Sequence, residues 1–411
     1  MDRLALTLSA SPLEMPTSYV SRLAERNFCG SSVSFCKDMG IELGAVTSGN
    51  PEAIQHLCRL AQLPENAFSK TTVHKISTMR YSVRGEEFDT FTFDRGLIRV
   101  CPECIREQHS RSADIWSVIH HLHWQITQIR SCTKHDVRLV GLGEPKHGFG
   151  RLDATAAIKA YGVDTAIVGE HALADDFDIY LTNRTYNPEN RYWCDKFSIP
   201  ALWRCSEALG ISLTYGVSQT RTSGLTDAEL RAATLRGFRL LKAGKEATTS
   251  ALASFAATTT AGCGHRSKPR YGEILRLLNK TSDYQEHLEI MRDFMRAYIV
   301  DRYPLDDDVL LFGKPIGKRR LHSMISAQRS LGMSQKLLKD LLVARGLGER
   351  DGNGKFRLVT LLTVEVVEDL LAEKLRYVGN EEAFGLLCVF RGHPASDSES
   401  IRPPIPILSG H

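Results

Sequence analysis

The chain has 411 residues, is 42% hydrophobic and 24% charged, and carries a formal net charge of +4. That length argues for about two to four compact units with ample apolar surface for their cores, and the small positive excess permits nucleic-acid contact through a local patch without demanding it. No apolar run approaches the roughly 20 residues of a membrane span, and Met1-Asp2-Arg3-Leu4 lacks a signal-peptide pattern. A cytoplasmic protein with no membrane partner is expected, its 10 cysteines reduced rather than paired in disulfides.

Residues 1–95 read as an N-terminal helix-turn-helix-like bundle that runs into strands. Thr17 and Ser18 are helix-start types, and Tyr19, Val20, Leu23 and Ala24 follow at helical spacing. Gly30-Ser31-Ser32 breaks that helix, with Ser32 placed to cap the next, which carries Val33, Phe35, Cys36 and Met39. After the break at Gly49-Asn50-Pro51, a helix over 52–63 buries Ile54, Leu57, Cys58, Leu60 and Ala61. Such a bundle serves either as scaffold or in direct DNA contact. Thr71 to Val73, Phe88 to Phe93 and Leu97 to Val100 are strand-like.

Residues 96–145 read as a central zinc-binding knuckle with short strands. Cys101-Pro102-Glu103-Cys104 and Cys132-Thr133-Lys134-His135 each offer two ligands from one turn. Zn²⁺ prefers four such ligands in a tetrahedron, and three thiolates with one imidazole leave no open position. Cys101, Cys104, Cys132 and His135 therefore read as one structural zinc site whose binding energy is folding energy. Reduced cysteines in a turn are the competing reading. A redox Cys-x-x-Cys lacks its βαβ context here. Between the pairs a helix over 116–129 is expected, with Trp116, Ile119, Leu122, Ile126 and Ile129 inward. His120, His121 and His123 would then point in different directions, as surface or packing histidines.

Residues 146–220 form a mixed linking region: a helix over 154–161, a strand over 178–181, a turn at 187–190, and a helix over 202–209 stopped by Gly210. Residues 221–310 are helical. Thr226 and Glu229 make a capping box for a helix over 224–243 with Leu230, Ala233, Leu235, Phe238 and Leu241 inward. A small-residue segment over 247–263 and a second long helix over 283–300 follow.

Residues 311–391 read as a C-terminal helix-turn-helix domain. Lys314, Lys318, Arg319 and Arg320 make a basic entry. A helix over about 323–331, the turn Gly332-Met333-Ser334, and a helix over 335–345 buried through Leu337, Leu338, Leu341 and Leu342 come next. Asp351-Gly352-Asn353-Gly354 before a strand over 356–361 suggests a small wing. Gln335, Lys336, Lys339 and Arg345, with Lys318, Arg319 and Arg320, would reach phosphates and base edges in a DNA reader; a solvated face is the alternative. The tail over 392–411 should be disordered. The fold class is thus mainly α and multi-domain. With no phosphate loop, nucleophile elbow or carboxylate set, no enzyme is expected.

Three stretches together carry a resemblance. Glu14-x-x-x-Ser18-Tyr19-x-x-Arg22-Leu23-Ala24, Arg99-Val100-Cys101-Pro102-Glu103-Cys104-Ile105, and Trp124-Gln125-Ile126 leading to Cys132-Thr133-Lys134-His135-Asp136-Val137-Arg138-Leu139 resemble the TniQ/TnsD family of transposon target-selection proteins. The C-terminal helix-turn-helix adds weaker support. The resemblance implies zinc-ligand roles for Cys101, Cys104, Cys132 and His135. It implies a role in DNA transposition without a reaction of its own, with DNA and an AAA+ ATPase regulator as partners. For some members it implies a CRISPR effector complex, and it leaves a homodimer open. Members often continue with a further Cys-x-x-Cys pair soon after the histidine. Residues 141–150 hold none, and Cys194 with Cys205, or Cys263 with His265, are too isolated to replace it. Tyr19 stands where the family usually has Trp. A stand-alone zinc-containing transcriptional regulator is the alternative function.

Overall fold

Punctuation in the opening segment sets its helices. In the computed structural model these are α1 (Pro16–Arg26), α2 (Ser32–Asp38), α3 (Leu43–Ser48) and α4 (Pro51–Leu60). Ser31, not Ser32, caps α2 by accepting from the Ser34 N–H. Gly49 ends α3 in the left-handed region, and Asn50 caps α4 with Pro51 in its first turn. Tyr19, Leu23, Phe35, Leu57, Cys58 and Phe68 are fully buried at the centre of the bundle. The structure describes residues 3–143, 152–162, 169–188, 190–218, 222–257, 271–280 and 285–378. Cys263, His265, Cys388 and the 392–411 tail lie outside them. The fold is mainly helical with a few small sheets, and the chain divides into two compact units, Met1–Met291 and Arg292–His411.

The first unit continues with a three-stranded antiparallel sheet, β1 (His74–Lys75), β2 (Arg80–Val83) and β3 (Glu86–Asp89). Arg84 and Gly85, both at positive φ, make the β2–β3 turn, the conformation that lets a two-residue loop match strand twist. β4 (Ile98–Val100) leads into α5 (Pro102–Ser110) and pairs antiparallel with β5 (Val140–Leu142).

Between them the expected helix over 116–129 is absent. The segment holds two short 3-10 turns, Ile115–Ser117 and Leu122–Gln125, and extended links. The reason is that this stretch has no solvent face. His120, Leu122, His123, Trp124, Gln125, Ile126 and Ile129 are all buried, and their backbone groups pair with other segments, as in Leu122 N–H to the Leu13 carbonyl and Asp94 N–H to the Gln125 carbonyl. The histidines are packing residues.

Two further expectations change. Residues 178–181 belong to a helix, α7 (Asp176–Tyr186), which follows α6 (Ala154–Tyr161) and is opened by the capping box Asp175–Asp178. Gly210 does not stop its helix; α8 (Ile199–Tyr215) runs through it. α9 (Asp227–Ala243), opened by the Thr226–Glu229 capping box, crosses α8 at Gly210 and Gly237. A Cβ on Gly210 would lie 1.8 Å from the Ala233 carbonyl oxygen, and one on Gly237 1.8 Å from that of Ser206. The glycines are there so that two backbones can touch. Leu230 and Leu235 are half-buried, and Arg231, Thr234 and Gly237 share the inner face with Ala233, Phe238 and Leu241. α10 (Lys245–Ala257) and α11 (Glu273–Asn279) follow.

The second unit starts within α12 (Glu289–Val300) and contains β6 (Leu310–Leu311), β7 (Lys314–Pro315) and β8 (Leu321–His322). Next come α13 (Met324–Leu331), α14 (Gln335–Ala344), the hairpin β9 (Gly348–Arg350) with β10 (Phe356–Leu358), β11 (Leu362–Thr363) and α15 (Val364–Val378). Ser323 and Ser334 cap α13 and α14, and Gly332 closes α13 in the left-handed region. Leu338 and Leu342 are buried with Ala327, Leu331, Val367 and Leu370. Leu337 is 55% exposed rather than inward. No helix among the described residues is long and apolar enough to cross a membrane.

Candidate metal centre

The pairing of β4 with β5 sets Val100 opposite Val140, and so brings the two ligand turns together. Cys101 directly follows β4 and caps α5, its sulfur accepting from the Cys104 N–H at 3.4 Å, with Pro102 in the first helical turn. The second turn is a tight loop. Asp136 N–H donates to the Cys132 carbonyl at 2.9 Å, Cys132 N–H to Val137 at 2.8 Å, and Asp136 takes a φ of +50°.

The four donor atoms lie within 4.8 Å of one another. Cys104 Sγ is 3.7 Å from Cys132 Sγ, and His135 Nδ1 lies 3.5, 3.2 and 3.8 Å from the sulfurs of Cys101, Cys104 and Cys132. A tetrahedral zinc with Zn–S near 2.3 Å and Zn–N near 2.1 Å has edges of about 3.5–3.8 Å, so the donors fit such an ion. The cysteines are buried and His135 is half-buried. Hydrogen bonds from Cys101 and Cys104 draw the Cys132 thiol far below the ordinary range, while the contacts with Cys101 and then Cys132 push Cys104 far above it. A bound divalent cation would hold all three as thiolates. The four sequence candidates thus converge, and they could bind a metal ion.

The motif residues around the centre are its scaffold. The half-buried Arg99 donates through its guanidinium to the carbonyls of Trp124, Ile126 and Ile129 at 3.1, 2.8 and 2.6 Å. Burial lowers its pKa to about 10. Gln125 bridges the same segments through Arg99 N–H and the Leu97 carbonyl. Glu14, fully buried, pairs with Arg22 at 2.6 Å and accepts from Ser18 at 3.0 Å. Arg22 also donates to the Trp116 carbonyl at 2.6 Å, and His120 N–H donates to Ser18 Oγ at 3.2 Å. The Glu14–Ser18–Arg22 trio therefore fastens α1 to the segment between the ligand pairs. Tyr19 donates to the Leu8 carbonyl at 2.7 Å. His120 donates through Nε2 to the Arg99 carbonyl at 2.9 Å, and burial lowers its pKa to about 4. His121 stacks on Trp124 at 4.4 Å, and His123 meets the Tyr186 hydroxyl at 2.7 Å. Desolvation favours the neutral form of all three, and none belongs to the metal cluster. Sequence reasoning missed the buried charges; the i, i+4 and i, i+8 spacing of Glu14, just ahead of α1, with Ser18 and Arg22 on it was the available signal. Cys194 and Cys205 are buried singly, outside the metal cluster.

In the second unit, Gln335 and Lys336 are exposed in the first turn of α14, and Lys339 sits 5.8 Å from the Phe356 ring. Arg345 pairs with Glu373. Lys318, Arg319 and Arg320 line an open cavity of about 450 Å³, where Arg319 pairs with Asp307 and Arg320 with Asp301. Lys318 and Lys336 carry no ion-pair partner among the described residues.

Residues 5–139 match the model of the TniQ family, a span that begins ahead of α1 and ends just past His135. No curated protein matches the chain.

Proposed function

We propose that this chain, which carries a TniQ-family domain over residues 5–139, is a non-catalytic adaptor of DNA transposition that helps choose the insertion site. The match to a transposition-associated family supports that reading. The observation that carries the adaptor reading is the coincidence of that domain with a closed set of four metal donors, a centre built for holding shape. One Zn²⁺ on Cys101, Cys104, Cys132 and His135 would supply that cross-link. Helices α13 and α14 about the Gly332 turn, with the β9–β10 hairpin as a wing, are read as a winged helix-turn-helix whose Gln335, Lys336 and Lys339 meet DNA. Lys318 joins them as a cation unpaired among the described residues, and Arg319, Arg320 and Arg345 by exchanging carboxylates for phosphates. Other surfaces would recruit an AAA+ regulator, and a CRISPR effector complex could supply the DNA target in place of direct reading.

The test has two arms. Fluorescence anisotropy with a labelled duplex should show binding at low salt that weakens steeply as salt rises. Affinity capture from the native host should return an AAA+ ATPase. No binding at low salt removes the direct DNA contact, and capture without any ATPase contradicts the adaptor role in favour of a stand-alone regulator.

A further inference from the structure

We propose that Glu107 is the outer carboxylate that orients His135 as a metal ligand through Nδ1. The inference rests on the metal reading of the centre. The two ring nitrogens of His135 face different ways: Nδ1 points into the sulfur cluster at 3.2–3.8 Å, while Nε2 lies 3.4 Å from Glu107 Oε2. An imidazole binds a metal through one nitrogen only when the proton sits on the other. A carboxylate that accepts this N–H fixes the tautomer, holds the ring plane and raises the basicity of the ligating nitrogen.

The sequence puts Glu107 in place through the centre itself. Cys101 and Pro102 set the start of α5, Cys104 lies in its first turn, and Glu107 follows three residues later on the same face. Its carboxylate is held from both sides. Oε1 accepts from Arg111 at 2.6 Å, and Oε2 is shared between Lys134 and His135. One side chain thus ties the helix of the first ligand pair to the turn of the second. A plain surface ion pair with Lys134 would contribute little, so the two roles separate experimentally.

Zinc affinity of the full-length protein is measured by competition with a chromophoric chelator, and the ligand field by the visible spectrum of the Co²⁺ form. Glu107→Ala should weaken zinc binding by about tenfold or more and shift the Co²⁺ bands. Lys134→Ala should stay within about twofold. In a His135→Cys background, where the ligand has no second nitrogen, Glu107→Ala should again cost less than about twofold, because the contact it removes is gone. Glu107→Met, which keeps the helix and side-chain length, serves if the alanine variant fails to fold, with the same expected loss. The proposal is overturned if the Glu107 variants bind zinc like the unaltered protein, if Lys134→Ala reproduces their loss, or if the loss persists with His135→Cys. Failure of the unaltered protein to bind any metal overturns the metal reading itself, and is distinguished from these by that first measurement.

Discussion

Arg22→Ala is the sharpest test of how the N-terminal bundle and the metal segment hold each other. Arg22 is 5% exposed and Glu14 0%. Removing the guanidinium takes away the 2.6 Å ion pair and leaves the carboxylate with the Ser18 hydroxyl at 3.0 Å and the Ser11 N–H at 3.4 Å. Burial already pushes the Glu14 pKa upward, and Arg22 is the largest force opposing it. The Trp116 carbonyl also loses its donor. Breaking one side of a buried pair costs about 3–5 kcal/mol, which for a unit of this size is a drop in Tm of roughly 6–20 °C. The double variant Glu14→Gln/Arg22→Met removes both charges and should recover to within about 2 kcal/mol of the unaltered protein. Denaturant melts of Glu14→Gln, Arg22→Met and the double variant, followed by tryptophan fluorescence, give the cycle. A loss below about 1 kcal/mol for Arg22→Ala, or effects that add to within about 0.5 kcal/mol, would refute the buried-clamp reasoning.

Other expectations are quicker to check. Gly237→Ala forces α8 and α9 apart against the 1.8 Å overlap with Ser206 and should cost about 3 kcal/mol or more in a thermal melt, whereas Gly224→Ala, with open space around it, should stay within about 0.5 kcal/mol. His120 has a folded pKa of about 4 against an unfolded value near 6.5. The neutral form is favoured by folding, so its contribution is complete above pH ~6.5 and is lost as pH falls toward 4. In His120→Gln, the stability lost between pH 6.5 and 4.5 should be smaller by roughly 2 kcal/mol, and an unchanged pH profile would contradict a buried neutral imidazole. If α14 meets phosphates, Lys336→Ala should weaken duplex binding evenly across sequences and lower the salt slope by about 1; sequence-selective loss would instead place Lys336 on a base.

The sequence made legible what depends on local rules. The Thr226 capping box, the C-terminal helix pair around Gly332 and the paired ligand spacing each follow from short-range chemistry, and each appears where the pattern puts it. What it hid was set by tertiary contacts. The Trp116–Ile129 stretch has helical apolar spacing, but with His120, His123 and Gln125 buried as well it satisfies its backbone through neighbours rather than through itself. Gly210 looks like a stop signal, and only its approach to Ala233 explains a glycine inside a long helix. Leu337 fits the inward stripe of α14, yet the partner surface covers Leu338 and Leu342, with Leu341 half-buried beside them, and leaves Leu337 exposed. Glu14, Ser18 and Arg22 were visible as a family pattern, while their purpose as a buried clamp needed the distances.

Metal content of the purified full-length chain, measured alongside its melting, tests most directly whether Cys101, Cys104, Cys132 and His135 form a structural centre. About one zinc per chain is expected, lost in Cys101→Ser/Cys104→Ser together with the cooperative melt of the first unit. A metal-free chain that melts normally, or a double variant that keeps both its zinc and its melt, would contradict it.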